Sequence, residues 1–170
     1  PLLYQDTEFD RLPHPEISKK VVRWPYMLAS MPDKECPWMG LNLWGFPRTG
    51  KTRSLFLVLK KAHFAGKRIK FFGPSQFAQE CEMRDFKTAS WIRGAVAYDI
   101  IAFDDIDKCK LTRQQEDKFF ALLDARISRR VPTFFTGNTS GDHLKVQFRN
   151  GEAIVARIRE HSVSIHFPQQ

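Results

Sequence analysis

Cysteine is scarce in this sequence. Its 170 residues hold three, Cys36, Cys81 and Cys109, with no C-x-x-C pair and no Cys/His pair at zinc-ligand spacing. A disulfide framework and a structural zinc module are therefore excluded, and the thiols read as those of a reducing, cytoplasmic compartment. Long apolar runs are lacking too. None approaches the roughly 18 residues of a membrane helix, and no signal-peptide pattern opens the chain. There is no internal repeat and no low-complexity tract. Acidic residues are in deficit, 19 Asp plus Glu against 27 Lys plus Arg, which gives a net charge of +8 and an isoelectric point near 9.6. That sign favours polyanions, either nucleic acid or the phosphates of a nucleotide. The first residue is Pro1 rather than Met, which leaves room for a preceding segment.

What is present suits one domain with a real core: 42% of residues are hydrophobic and 27% charged, inside the globular range. Residues 1–37 form a proline-rich lead-in expected to pack on the rest, with a short helix over Glu16–Trp24 that Pro25 bends or ends. From residue 38 to 170 the pattern alternates. Strands are predicted over Leu41–Trp44, Arg68–Phe72, Asp99–Phe103, Val131–Thr136 and Ser162–Phe167. Helices are predicted over Thr52–Ala65, from Ser75 to Cys81, over Thr112–Ser128 and over Ala153–Glu160. Strands separated by helices predict an α/β fold, a central parallel five-stranded sheet flanked by helices on both faces. In such sheets ligands bind beyond the carboxyl ends of the strands. Each polar signature below falls at such an end.

The first is "GFPRTGKT", Gly45 to Thr52, which fits G-x-x-x-x-G-K-[ST] between a strand and a helix. Glycines let backbone N–H groups approach an anion, and the helix N-terminus adds partial positive charge. A chance match in a chain of this length is of the order of one in a hundred. The expected nucleotide-binding set is Gly45, Phe46, Pro47, Arg48, Thr49, Gly50, Lys51, Thr52 and Arg53, with ATP and Mg²⁺ as ligands. Lys51 would reach the β- and γ-phosphates and the Thr52 hydroxyl would hold Mg²⁺. Arg48 stands where many such loops have a third glycine, so it must find an allowed backbone conformation or strain the loop.

"DIIAFDD" ends a second apolar strand in two carboxylates. Asp104 is placed to hold the metal's shell, and Asp105 to polarise an attacking water. Asp107 reads as an ordinary loop acid. Asn138, after the strand in "VPTFFTGN", could hold the water or the γ-phosphate. "AIVARIRE" puts Arg157 and Arg159 near a helix end, where either could meet a neighbouring subunit's nucleotide or simply favour the helix dipole. Between the second strand and the acidic one, Arg84, Lys87 and Arg93 mix with Trp91, a composition suited to single-stranded DNA. "RISRR", with Arg126, Arg129 and Arg130, is a second basic cluster at a helix end.

These pieces, in this order, resemble the AAA+ ATPases of the DnaC/IstB-like group, helicase loaders and transposition helper ATPases. The residues carrying the resemblance are "GFPRTGKT", "AGKRIKFFGPSQFAQE", "YDIIAFDD", "VPTFFTGNTS" and "GEAIVARIRE", spread over Tyr4 to Phe167. The resemblance implies a P-loop NTPase of the AAA+/ASCE type, an ATPase acting in DNA replication and activated by oligomerisation. It implies Asn138 as sensor and Arg157 as arginine finger, with Arg159 in reserve. Its implied partners are further copies of the chain with ATP between them, single-stranded DNA, and a replicative helicase or a transposase. It also implies a cytoplasmic protein of a bacterium, phage or mobile element. The stretch after the last strand is too short for a C-terminal helical lid. Other readings stay open: a transposition helper with the same engine, a viral superfamily 3 replication helicase domain, a small-molecule P-loop kinase, or a nucleotide-gated module that does not hydrolyse.

Overall fold

The computed structural model describes residues 12–30, 40–83 and 88–169, and for 24–30, 83 and 88–90 the backbone only. The elements, in chain order, are α1 Pro15–Ser30, β1 Leu41–Gly45, α2 Lys51–Phe64, β2 Ile69–Phe72, α3 Gln76–Met83, α4 Thr88–Val96, β3 Ile100–Phe103, α5 Arg113–Ser128, β4 Thr133–Gly137, α6 Gly141–Gln147, α7 Gly151–Glu160 and β5 Val163–Phe167, with one 3₁₀ turn, Ile106–Lys108, after β3. The five strands form one parallel sheet in the order β2-β3-β4-β1-β5. The α/β expectation holds.

The strand order dictates the layers. The chain steps from β2 to β3, to β4, and past β1 to β5 in one direction, but from β1 back to β2 in the other. Right-handed crossovers therefore put α2 on one face and α3 to α7 on the opposite one. The core divides accordingly. Val21 and Val22 of α1 and Leu55, Val58 and Leu59 of α2 cover Leu41, Leu43, Ala102 and Phe134. On the other face Phe77, Trp91, Phe119, Leu122 and Ile154 cover Ile101, Phe103 and Phe135. Every residue of β3 and β4 is buried, which explains the unbroken apolar run of β3, while the two threonines of β4 satisfy their hydroxyls with hydrogen bonds.

Aromatic rings brace the acidic strand end. Phe103, the residue before Asp104, stacks on Phe72 at 5.1 Å and Phe135 at 5.8 Å, and meets Phe119 edge-on at 5.0 Å. Each such pair contributes about 0.5–1.5 kcal/mol beyond area burial. α5 begins at a full capping box, Thr112 and Gln115 bonding reciprocally.

Three features depart from expectation. α1 continues past Pro25 to Ser30, because a proline removes one backbone bond without ending a helix otherwise held by packing. α4 and α6 were not anticipated: α6 is seven residues long in a turn-rich stretch, too short to show a periodicity. Arg126 is no surface cation. It is fully buried, donating to Thr133 Oγ1 at 2.9 Å and to the carbonyl of Tyr98 at 3.0 Å, and so ties α5 to the entries of β3 and β4. Its spacing from Phe119, Leu122 and Leu123 puts it on the apolar face, a signal already present in the sequence. The two described cysteines are free and buried. Burial pushes Cys81 up to about 11 and Cys109 to about 12, so neither is a thiolate at neutral pH. The expected division at residue 37 lies outside the described residues. Among the described residues, no helix is long and apolar enough to cross a membrane.

Candidate nucleotide-binding site

β1 and β4 are neighbours whose following helices leave to opposite faces, and this reversal opens a crevice at their carboxyl ends. Register brings three strand ends level there. Trp44 lies opposite Gly137, and Phe103 opposite Phe135, so Gly45, Asp104, Thr136 and Asn138 gather at one edge. The result is an open cleft of about 660 Å³ lined by Pro13, the loop 47–53, Asp105, Lys108 and Asn138.

The loop between β1 and α2 uses its glycines for two different purposes. Gly45 has φ +134°, and a Cβ there would lie 2.1 Å from the carbonyl oxygen of Phe167. That glycine permits the close approach of β5, whose Phe167 carbonyl accepts from Phe46 N–H. Gly50 has φ +90° and caps α2 in the left-handed conformation, aiming the helix N-terminus into the cleft. Arg48 does find a left-handed conformation, φ +63°, at a cost of about 1–2 kcal/mol for a side-chain-bearing residue. Its side chain is exposed at the cleft wall, as is that of Arg53. Thr49 closes the turn by donating to the Phe46 carbonyl at 2.7 Å.

Lys51 is only 5% exposed. Its ammonium donates to the carbonyls of Gly45 at 2.9 Å and Phe46 at 2.5 Å. Burial lowers its pKa below lysine's usual value, opposed first by the charge of Asp105 and then by those of Asp107 and Asp104. An anion entering the cleft would favour the charged form of this ammonium and offset the desolvation that lowers its pKa.

Thr52 Oγ1 donates to Asp104 Oδ1 at 2.9 Å, joining the start of α2 to the end of β3. Thr136 is one of the residues that sequence reasoning misses. Fully buried on β4, it donates to Asp104 Oδ1 at 2.5 Å and accepts from the backbone N–H of Asp105 at 2.8 Å. Burial raises the Asp104 pKa above the usual carboxylate value, against the hydrogen bonds from Thr136 and Thr52. This hydroxyl–carboxylate pair suits Mg²⁺, which takes hard oxygen ligands and keeps waters and phosphate oxygens in its shell. Among the described residues no group of three or more His, Cys, Asp or Glu could hold a metal ion by itself.

Asp105 has φ +50°, ψ +53°, a conformation aspartate tolerates better than longer side chains. Its Oδ2 accepts from Lys108 Nζ at 2.5 Å, across the 3₁₀ turn. That hydrogen bond raises the Lys108 pKa. Asp107 is more than a loop acid: it accepts from Asn138 N–H at 3.0 Å and from Asn138 Nδ2 at 3.4 Å, and so orients the Asn138 side chain. Neither Lys108 nor Asp107 bears a recognisable motif signal, since their roles come from the turn that folds them back.

The remaining candidates lie elsewhere. Arg157 is beside Val131 and Thr133, at the opposite end of β4 from the cleft. Its guanidinium pairs with Asp124 of α5 and lies 4.1 Å from the centre of the Phe120 ring. Arg159, half exposed, approaches Asp142 at 3.4 Å. Trp91, expected as a stacking surface for bases, is instead a core residue, 5% exposed and edge-on to Phe77 at 5.6 Å, so it presents no face to a base. Arg93 is exposed on α4, whereas Arg84 and Lys87 lie outside the described residues.

No protein-family model and no curated protein matches this chain. Solved structures do. A crystal structure of the DnaC helicase loader superposes with a TM-score of 0.75 at 20% identity, covering 98% of this chain and 99% of the other. A crystal structure of DnaI gives 0.71 at 21% identity over 89% and 85%. The replication initiator DnaA, bound to AMPPCP and single-stranded DNA, gives 0.78 at 14% identity over all of this chain, which spans 52% of the DnaA chain. The strand order, the crevice and these superpositions together show that this chain has the α/β fold of the DnaC and DnaI structures, a central parallel five-stranded sheet flanked by helices.

Proposed function

We propose that this chain binds and hydrolyses ATP as an AAA+ protein of the helicase-loader kind. The observation that carries the reading is that Lys51 and Thr52 line one cleft and that Thr52 Oγ1 lies 2.9 Å from Asp104 Oδ1. Lys51 and the loop N–H groups bind the β- and γ-phosphates. Thr52 and Asp104 would hold Mg²⁺, which when bound would neutralise charge on the phosphate oxygens. Asp105 accepts the proton of the attacking water, and Asn138, oriented by Asp107, positions that water or the terminal phosphate. Arg157 acts on the nucleotide of an adjacent copy, so the working form is an oligomer with ATP between subunits. Single-stranded DNA and a replicative helicase are the proposed partners, by likeness to the helicase loader and to the DNA-bound initiator.

Hydrolysis measured over a range of protein concentrations, with and without single-stranded DNA, tests this. The rate per subunit should rise with concentration and with DNA. Asp105→Asn should retain nucleotide binding and lose turnover, because the amide keeps the backbone conformation and removes the base. A rate per subunit indifferent to concentration, or turnover surviving in Asp105→Asn, would overturn the mechanism.

A further inference from the structure

We propose that Lys108 distinguishes a nucleoside triphosphate from a diphosphate in this cleft: the Asp105 carboxylate holds it while no γ-phosphate is present, and it transfers to that phosphate on binding, which frees Asp105. The inference rests on the nucleotide reading above.

The two residues are three apart across a 3₁₀ turn, where side chains at i and i+3 eclipse. Lys108 Nζ donates to Asp105 Oδ2 at 2.5 Å, and both line the cleft that also holds Lys51 and Asn138. Their freedom differs. The Lys108 side chain is 57% exposed and that of Asp105 22%. Asp105 is held through its backbone N–H by Thr136, whereas the Lys108 side chain is the more exposed of the pair. An oxygen that accepts from an ammonium is a poor acceptor for a water proton, so the observed pairing leaves Asp105 half occupied. Terminal phosphate oxygens carry more charge than one carboxylate and compete for the ammonium. Lys51 sits deeper, bonded to the loop carbonyls, and reaches the β-phosphate that ADP and ATP share as well as the γ-phosphate. Lys108, at the acidic wall, answers the phosphate that ATP alone has.

The test is binding without turnover. Affinities for ADP and for the non-hydrolysable β,γ-methylene analogue of ATP are measured by calorimetry, with Mg²⁺, on wild type, Lys108→Met and Lys108→Arg. Loss of a charge-assisted contact to the γ-phosphate predicts about tenfold weaker binding of the triphosphate analogue to Lys108→Met, with ADP within about twofold of wild type. Lys108→Arg should recover most of the difference. Equal weakening of both nucleotides, or no weakening of the analogue, would overturn the role of Lys108 while leaving the site intact. Wild type that binds neither nucleotide would instead remove the reading on which the inference stands.

Discussion

Thr136 is the residue on which the acidic strand end turns. One buried hydroxyl donates to Asp104 and accepts from Asp105 N–H, so it couples the Asp104 carboxylate, proposed to hold Mg²⁺, to the backbone of Asp105, the proposed base. Thr136→Val keeps the volume and removes the hydroxyl. It should cost about 1–3 kcal/mol of stability, because a buried N–H and a buried carboxylate each lose a partner. Denaturant unfolding measures this, and a change within about 0.5 kcal/mol would contradict the coupling. The same variant should need more Mg²⁺ for nucleotide binding, since Asp104 would be held by Thr52 alone. At this scale the sequence was legible where a motif imposes residue types: Lys51, Thr52, Asp104 and Asn138 meet where strand-end logic put them. Thr136, Asp107 and Lys108 were not legible, because each acts through a partner that only register or a 3₁₀ turn brings near. Trp91 misled for the complementary reason: an aromatic among cations looks the same whether it faces bases or the core.

α5 and α7 decide what Arg157 does. The guanidinium pairs with Asp124 and covers the Phe120 ring, two contacts that dock one helix on the other. A half-exposed ion pair with a cation–π contact contributes about 1 kcal/mol in all. Arg157→Ala and Asp124→Ala should therefore destabilise the chain by similar small amounts. The proposed role in an oligomer separates them. Arg157→Ala should lower ATP hydrolysis of the assembled protein by about 10³-fold or more, whereas Asp124→Ala, which releases the arginine, should not. Equal hydrolysis by the two variants at matched concentration would leave Arg157 a packing residue only. Helix and strand assignments followed from periodicity for the long elements, and failed for α4 and α6, which are short and interrupted by glycine or turn residues. The helix α1 is anchored on α2 by Val21, Val22 and the Ser18–Ser54 hydrogen bond, and its backbone runs on past Pro25 to Ser30.

At the scale of the described residues as a whole, one sheet has a strand order that makes a crevice, and its loops bring Lys51, Thr52 and Asn138 to that crevice. The parallel sheet was legible from the alternation of strands and helices, but the strand order, and hence which strand ends adjoin, came only from the fold. Everything proposed about turnover and assembly depends on that cleft taking a nucleotide through Lys51. Calorimetric titration of wild type and Lys51→Ala with ATP, in Mg²⁺ and again with the metal chelated, tests this most directly. The account predicts saturable binding to wild type, weaker without Mg²⁺, and none to a Lys51→Ala protein whose circular dichroism shows the native fold. A folded Lys51→Ala protein that binds ATP as tightly as wild type would contradict it.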